Sequence, residues 1–235
     1  MAPTPTSREN AAQAAAVRAA ARAALRREKI AARAALTPAL HAAASARIES
    51  ALEAVLAGLA AVAPTRSAGA AKQIPLRECT PGVPTFSPML AFCWPHQGEF
   101  DARPLVSRLL ESGWSACLPV VVAAAAPLAF RPWSPQVPLA PDRYGIPTPT
   151  GGDFVVPDVL LIPLVAVDDR NYRIGYGGGF FDRTLAALAA GGKHVTAIGV
   201  GFELARIADT LPGPHDIALD LVVTERGCCI AEDLK

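Results

Sequence analysis

Apolar residues in this chain recur first at helical spacing and later in the short runs that buried strands make. From Ala11 to about Leu36 strong helix formers dominate, with Arg18, Arg22, Arg26, Lys29 and Arg33 three or four residues apart. That spacing predicts a helix with a basic stripe on one face. Beyond Thr37-Pro38, residues Ile48, Leu52, Val55, Leu56 and Leu59 predict a second, amphipathic helix running to Ala63-Pro64. The stretch from Pro64 to Pro88 is rich in Pro, Gly, Ser and Thr and is expected to be a loop.

After the loop the pattern alternates between strand and helix. Met89 to Cys93 reads as a strand, residues from about Pro104 to Ser112 as a helix, and Ala116 to Val122 as a strand. The Pro-laden residues 127 to 152 are expected to be irregular. Val159 to Pro163 and Val165 to Val167 read as buried strand, and a helix from about Phe181 to Ala190 stops at Gly191-Gly192. Val195 to Val200 and Leu219 to Thr224 supply further strands. The expected fold class is α/β: an open, mostly parallel twisted sheet with helices on both faces and an N-terminal helical extension. The extension covers residues 1–63 and packs on the main domain, the loop covers 64–88, and the α/β body covers 89–235, together one domain.

Composition narrows the class. With 235 residues, 51% hydrophobic and 18% charged, the chain can bury a sizeable core. The net charge of +1 hides an asymmetry, because residues 1 to 50 carry eight Lys/Arg against three Asp/Glu while the remainder carries fourteen against eighteen. An acidic body does not have the profile of a nucleic-acid binder. The five cysteines, 79, 93, 117, 228 and 229, are odd in number and lack metal-binding spacing, so reduced thiols and a cytoplasmic setting are expected. No secretory signal pattern and no window of about 18 apolar residues is present. The first 35 residues share their Ala- and Arg-rich composition with organelle transit peptides, although a solvated helix belonging to the protein is the preferred reading.

The segment RIGYGGGFFD, Arg173 to Asp182, has the most specific chemistry. A strand, an arginine, a glycine loop and a helix start in that order bring backbone N–H groups and a helix N-terminus together, which is a phosphate-binding arrangement. Gly175, Gly177, Gly178 and Gly179 leave room for a ligand near the backbone, and Arg173 offers a bidentate positive charge. Asp182 closes the loop, either as partner to a magnesium ion between it and the phosphates or as an ordinary first-turn acid. Of Phe180 and Phe181, one packs and the other faces the pocket. Histidines 41, 96, 194 and 215 lack metal-ligand spacing, so no zinc site is expected, and no nucleophile motif is present.

Several order-preserving segments are similar to the 5-formyltetrahydrofolate cyclo-ligase family, also called methenyltetrahydrofolate synthetases. They are RIGYGGGFFDR at 173–183, PDVLLIPLVAVD at 157–168, GEFDARPL at 98–105, LPVV at 118–121, GIPTP at 145–149 and LPGPHDIALDLVVTE at 211–225. The resemblance implies ATP- and magnesium-dependent closure of 5-formyltetrahydrofolate to 5,10-methenyltetrahydrofolate, with release of ADP and phosphate. It assigns ATP binding to Arg22, Arg26, Arg173, Ile174, Gly175, Tyr176, Gly177, Gly178, Gly179, Phe180 and Phe181. It assigns the magnesium to Asp182 and Asp216, the folate to Trp94, Glu99, Tyr176 and Phe180, and catalysis to Arg173 and Asp182. The expected partners are the small molecules ATP and 5-formyltetrahydrofolate, with no membrane and with nucleic acid disfavoured, in a monomer or weak dimer. The sequence departs from the family pattern at Thr148, where an acid is usual, at Leu164 and Val167 in place of the usual glycine and phenylalanine, and at Ala205, where glutamine is usual. The alternative reading is a paralogue that keeps the fold and binds nucleotide in a regulatory or RNA-associated role without cyclo-ligase activity.

Overall fold

The computed structural model describes residues 7–62 and 87–230. Two long helices lead, α1 (Ser7–Ala34) and α2 (Pro38–Val62), close to the spans that the residue spacing predicts. The segment read as a loop lies outside the described residues, except for its last two positions. Then follow β1 (Met89–Ala91), α3 (Arg103–Glu111), β2 (Ser115–Val120), β3 (Ala129–Trp133), β4 (Leu139–Pro141), β5 (Pro147–Pro149), β6 (Val159–Pro163), β7 (Ala166–Val167) and β8 (Arg173–Ile174). The chain continues with α4 (Phe180–Ala190), β9 (Thr196–Val200), a 3-10 turn (Glu203–Ala205), β10 (Leu221–Thr224) and β11 (Gly227–Ile230).

The main sheet has seven strands in the order β11-β10-β9-β6-β1-β2-β3. Neighbours from β10 to β2 run parallel, and the edge strands β11 and β3 are antiparallel to theirs. Alternate residues of each central strand serve opposite faces. Leu90, Leu161, Ile198 and Val223 pack in one core with Ile48, Leu52 and Leu56 of α2 and Leu105 and Val106 of α3. Their neighbours Ala91, Leu160, Ile162, Ala197 and Val222 pack on the other face with Leu185 of α4. Strands buried on both faces read as continuous apolar runs, which is why LLIP and TAIGV were legible as strands. Among the described residues no helix is long and apolar enough to cross a membrane.

One expectation needs correction, and two details go beyond what the sequence predicts. Residues 127 to 152 are not irregular, because β3 joins the sheet edge and β4 pairs with β5 in a separate hairpin. Pro132 sits on the edge strand, where a missing N–H costs no ladder bond to a further neighbour, and this disguised the strand. The strand expected at Val165–Val167 is short and lies outside the main sheet, where β7 pairs with β8 and Val167 also bridges to Arg206. Finally, β11 follows β10 after a two-residue connection and pairs Leu221 with Ile230.

Candidate functional site

The glycine loop begins where β8 ends and finishes at the first turn of α4. Gly179 is the N-cap, with a left-handed φ of 60°, and no side chain caps the helix. The first-turn N–H groups are therefore free to meet an anion. Gly177 also has positive φ, at 98°. At Gly178 a Cβ would come within 2.7 Å of the Phe180 ring, so this position demands glycine for space.

A cavity of about 1030 Å³ opens over the loop, lined by Gly175 to Arg183, by Arg173, by Gly213 to Ile217 and by Arg18, Arg22 and Arg26 of α1. The helical stripe puts Arg18, Arg22 and Arg26 along one wall, as spacing of four residues requires. Arg26 donates from Nε to the carbonyl of Gly175 at 2.6 Å and lies over Gly177, where a Cβ would be 3.4 Å from the guanidinium. Burial, and then the neighbouring charge of Arg22, lower the proton affinity of Arg26. Crowded cations of this kind are relieved by an anionic ligand.

Arg22 and Arg173 are less free than the sequence suggests. Arg22 forms a two-pronged pair with Asp216, at 2.7 Å from Nη1 and 3.0 Å from Nη2, and also donates to the Leu211 carbonyl at 3.1 Å. Arg173 is buried, with Nη1 donating to the Ile217 carbonyl at 2.9 Å and Nη2 paired with Asp182 Oδ1 at 3.0 Å. Asp182 Oδ1 also accepts the Ile217 N–H at 3.1 Å. Asp182 is thus an ion-pair partner inside the protein, a use not considered from sequence. No described hydrogen bond falls on its Oδ2, and both acids line the cavity. Both Asp216 oxygens accept from Arg22, and Oδ2 also from the Gly213 N–H, so Asp182 Oδ2 is the oxygen open to a metal. A hard divalent cation takes one or two carboxylates and completes its shell with phosphate oxygens and water, which one open carboxylate oxygen beside a phosphate site can serve.

A second cavity of about 390 Å³ shares Tyr176, Gly178, Phe180 and Phe181 with the first. Its walls include Cys93, Trp94, Glu99, Tyr144 and Thr148. Trp94 is braced by the Arg103 guanidinium, 4.5 Å above its ring. Glu99 is buried and accepts the Tyr176 hydroxyl at 2.7 Å on Oε1 and the His96 backbone N–H at 3.0 Å on Oε2. Burial pushes the Glu99 carboxyl above the ordinary glutamate range, opposed first by the Tyr176 hydroxyl and then by Arg33. Burial also raises the Tyr176 hydroxyl and the Cys93 thiol, so Tyr176 remains a donor and Cys93 is no nucleophile.

Each residue expected at the site from sequence therefore lines or borders one of two adjoining cavities; Ile174 is buried at the loop's root. Residues not singled out as site members also stand there. Arg18 was visible in the basic stripe, and Arg183 in the motif, where it donates to the Gly178 carbonyl. Tyr144, edge-on to Phe180 at 6.2 Å, carries no sequence signal because it lies in the turn between the two short strands β4 and β5. Of the departures from the family pattern, Thr148 lines the smaller cavity and donates to the Ala140 carbonyl at 3.2 Å, whereas Ala205 is buried and lines neither cavity.

Residues 87–225 match the family model described as the 5-formyltetrahydrofolate cyclo-ligase family. A 5-formyltetrahydrofolate cyclo-ligase of Escherichia coli (strain K12) is 37% identical over 135 residues, covering 54% of this chain and 72% of that one. One from Mycolicibacterium smegmatis is 32% identical over 149 residues, covering 58% and 73%. The fold is similar to that of a 5,10-methenyltetrahydrofolate synthetase from Aquifex aeolicus, with a TM-score of 0.64 at 23% identity over 90% of this chain and 93% of that one. A synthetase of the same name from Mycoplasma pneumoniae gives a TM-score of 0.57 at 20% identity, over 87% and 98%.

Proposed function

Since the chain belongs to the 5-formyltetrahydrofolate cyclo-ligase family, we propose that it uses ATP and magnesium to close 5-formyltetrahydrofolate into 5,10-methenyltetrahydrofolate. The observation that carries this reading is the meeting of two cavities at one glycine loop. The larger is ringed by arginines and a helix N-terminus, which suits a nucleotide's phosphates. The smaller is aromatic, with one buried carboxylate, which suits a flat ring bearing N–H donors.

In this reading the formyl oxygen takes the terminal phosphoryl group of ATP, the neighbouring folate nitrogen attacks the activated carbon, and phosphate departs with ADP as the other product. No protein nucleophile is needed, so the residues act by position and charge. Arg26 and the open first turn of α4 hold the phosphates, with Gly175, Gly177 and Gly178 admitting them close to the backbone. Magnesium would neutralise phosphate charge, and Asp182 and Asp216 would hold it. Arg173 and Arg22 orient these two acids through the pairs already in place. Glu99 receives the paired N–H donors of the pterin ring, while Trp94, Tyr176 and Phe180 wall the folate. The small-molecule substrates, a reducing cytoplasmic setting and a monomeric or weakly dimeric state belong to the same proposal; among the described residues all four cysteines are free thiols. The RNA-associated reading has less to stand on, because Arg22, Arg26 and Arg33 of the basic stripe turn inward onto the protein.

The direct test mixes the protein with Mg-ATP and 5-formyltetrahydrofolate and follows the near-ultraviolet absorbance of the methenyl product. ATP binding with no product at any substrate concentration would sink the proposal. Within it, Asp182→Ala is expected to raise the magnesium concentration needed for half-maximal rate on the order of tenfold. An unchanged magnesium requirement would remove Asp182 from the metal.

A further inference from the structure

Arg33 lies in the last turn of α1, eleven residues beyond Arg22, or roughly 16 Å along the helix at its usual rise. It is 6% exposed, and each arm of its guanidinium is engaged. Nε donates to the Gln97 carbonyl at 3.0 Å and Nη1 to the Leu164 carbonyl at 3.1 Å. These two bonds fasten the helix to the body of the protein. The third arm does something different: Nη2 donates at 2.7 Å to the hydroxyl of Tyr176, a side chain facing both cavities.

The hydrogen-bond inventory sets the direction of this chain. A guanidinium only donates, so the Tyr176 oxygen must accept from Arg33 and spend its single proton elsewhere. That proton goes to Glu99 Oε1 at 2.7 Å. An ionised carboxylate only accepts, so the sequence Arg33, Tyr176, Glu99 is satisfied when Glu99 is charged. The backbone N–H of His96 holds Oε2, and the His96 ring stands edge-on to Tyr176 at 5.7 Å. No ion pair within contact distance links Arg33 directly to Glu99 among the described residues, so the hydrogen-bonded link between them runs through the phenol, beside the attraction of the charge itself.

We infer that Arg33 is a positioning residue for the substrate-binding acid, aiming the Tyr176 hydroxyl so that Glu99 is held ionised and in one rotamer. The inference rests on the proposed role of Glu99 in folate binding. It places the acid's control on the same helix that carries Arg22 and Arg26 to the nucleotide cavity. The charged and titratable groups facing Glu99 are Arg33 from α1, Tyr176 from the glycine loop, and His96 and Cys93 from its own loop.

The experiment compares Arg33→Met, Arg33→Lys, Tyr176→Phe and the Arg33→Met/Tyr176→Phe double variant in full-length protein. KM for each substrate is measured across the acid and neutral range, and the Glu99 carboxyl is titrated by carbon NMR in the free protein. Either Arg33→Met or Tyr176→Phe is expected to raise the folate KM about tenfold, and Arg33→Met, which changes no residue lining the nucleotide cavity, to leave the ATP KM within about twofold. The double variant is expected to match the worse single variant within about twofold, as members of one relay should. Arg33→Lys, which keeps a donor and the charge, recovers part of the loss. The Glu99 midpoint rises by about one pH unit in Arg33→Met and in Tyr176→Phe. Equal losses toward both substrates in Arg33→Met, additive singles or an unmoved Glu99 midpoint would overturn the inference. If wild-type protein proves inactive in cyclisation, the carboxyl titration decides alone, since it needs no substrate. If Arg33→Met does not fold, Tyr176→Phe still breaks the relay with both anchoring bonds of Arg33 left in place.

Discussion

Arg173→Ala is expected to lower kcat/KM for ATP about a hundredfold and to destabilise the protein by about 3 kcal/mol. Both effects follow from where the guanidinium lies. It is 5% exposed and joins three pieces of chain: β8 on which it sits, the first turn of α4 through Asp182, and residues 213–217 through the Ile217 carbonyl. Removing it leaves Asp182 without its cation beside a cavity that must accept phosphates, and repulsion then acts where attraction is needed. It also frees the loop bearing Asp216 from the loop bearing Gly175 to Gly179. The stability loss corresponds to a fall in Tm of about 8 °C for a chain of this length. Calorimetry and ATP kinetics check the two parts together. Arg173→Lys keeps the charge but not the fork, so it should recover some stability while leaving most of the ATP defect. A variant with normal ATP kinetics and a lowered Tm would make Arg173 a purely architectural residue.

Glu99→Gln is expected to raise KM for the folate substrate about thirtyfold, with ATP affinity within about twofold of wild type. A carboxylate accepts on both oxygens, whereas an amide accepts on one and turns a donor toward either the His96 N–H or the Tyr176 hydroxyl. The pH dependence has a defined sign. Because burial raises the Glu99 carboxyl in the folded protein, it takes up a proton at higher pH than an ordinary glutamate. Folate-side kcat/KM should therefore fall, as pH drops, earlier than for an exposed acid, and this acid limb should vanish in Glu99→Gln. Stability runs the other way. A raised folded-state value means that Glu99 favours folding fully below its unfolded value, and that this contribution is lost as pH rises through the folded value. Glu99→Gln should gain stability relative to wild type as pH rises through that window, measured by urea unfolding at several pH values. An acid limb that persists in the variant would assign it to another group.

Much of the fold was legible because its central strands are buried on both faces and its helices carry periodic stripes. Ile48, Leu52 and Leu56 are fully buried, as their spacing implied, and Val159 to Pro163 forms the middle of the sheet. The edges were not legible. Pro132 and Pro141 look like interruptions in sequence, yet an edge strand or a two-stranded hairpin tolerates a residue without an N–H. The candidate site shows the same division. The RIGYGGGFFD loop announces phosphate chemistry through local backbone needs: positive φ at Gly177 and Gly179, and no room for a Cβ at Gly178.

Pairing across the chain is a different kind of fact. The sequence alone settled that a glycine loop meets a helix start, that the first helix has a basic face, and that the strands are buried, because each depends on residues close together in the chain. Only the tertiary structure decided which carboxylate answers which arginine. Asp216 faces Arg22 across 194 positions, and Glu99 answers to Arg33 through Tyr176, 77 positions away. A charge's partner is set by distances of a few ångströms, and periodicity carries no information about which distant segments fold that close. For this reason Asp182 stands out from its place in the loop and Asp216 only through the family resemblance, while the arginines that hold them in place became visible only once β8, α4 and the 211–219 segment were packed against α1.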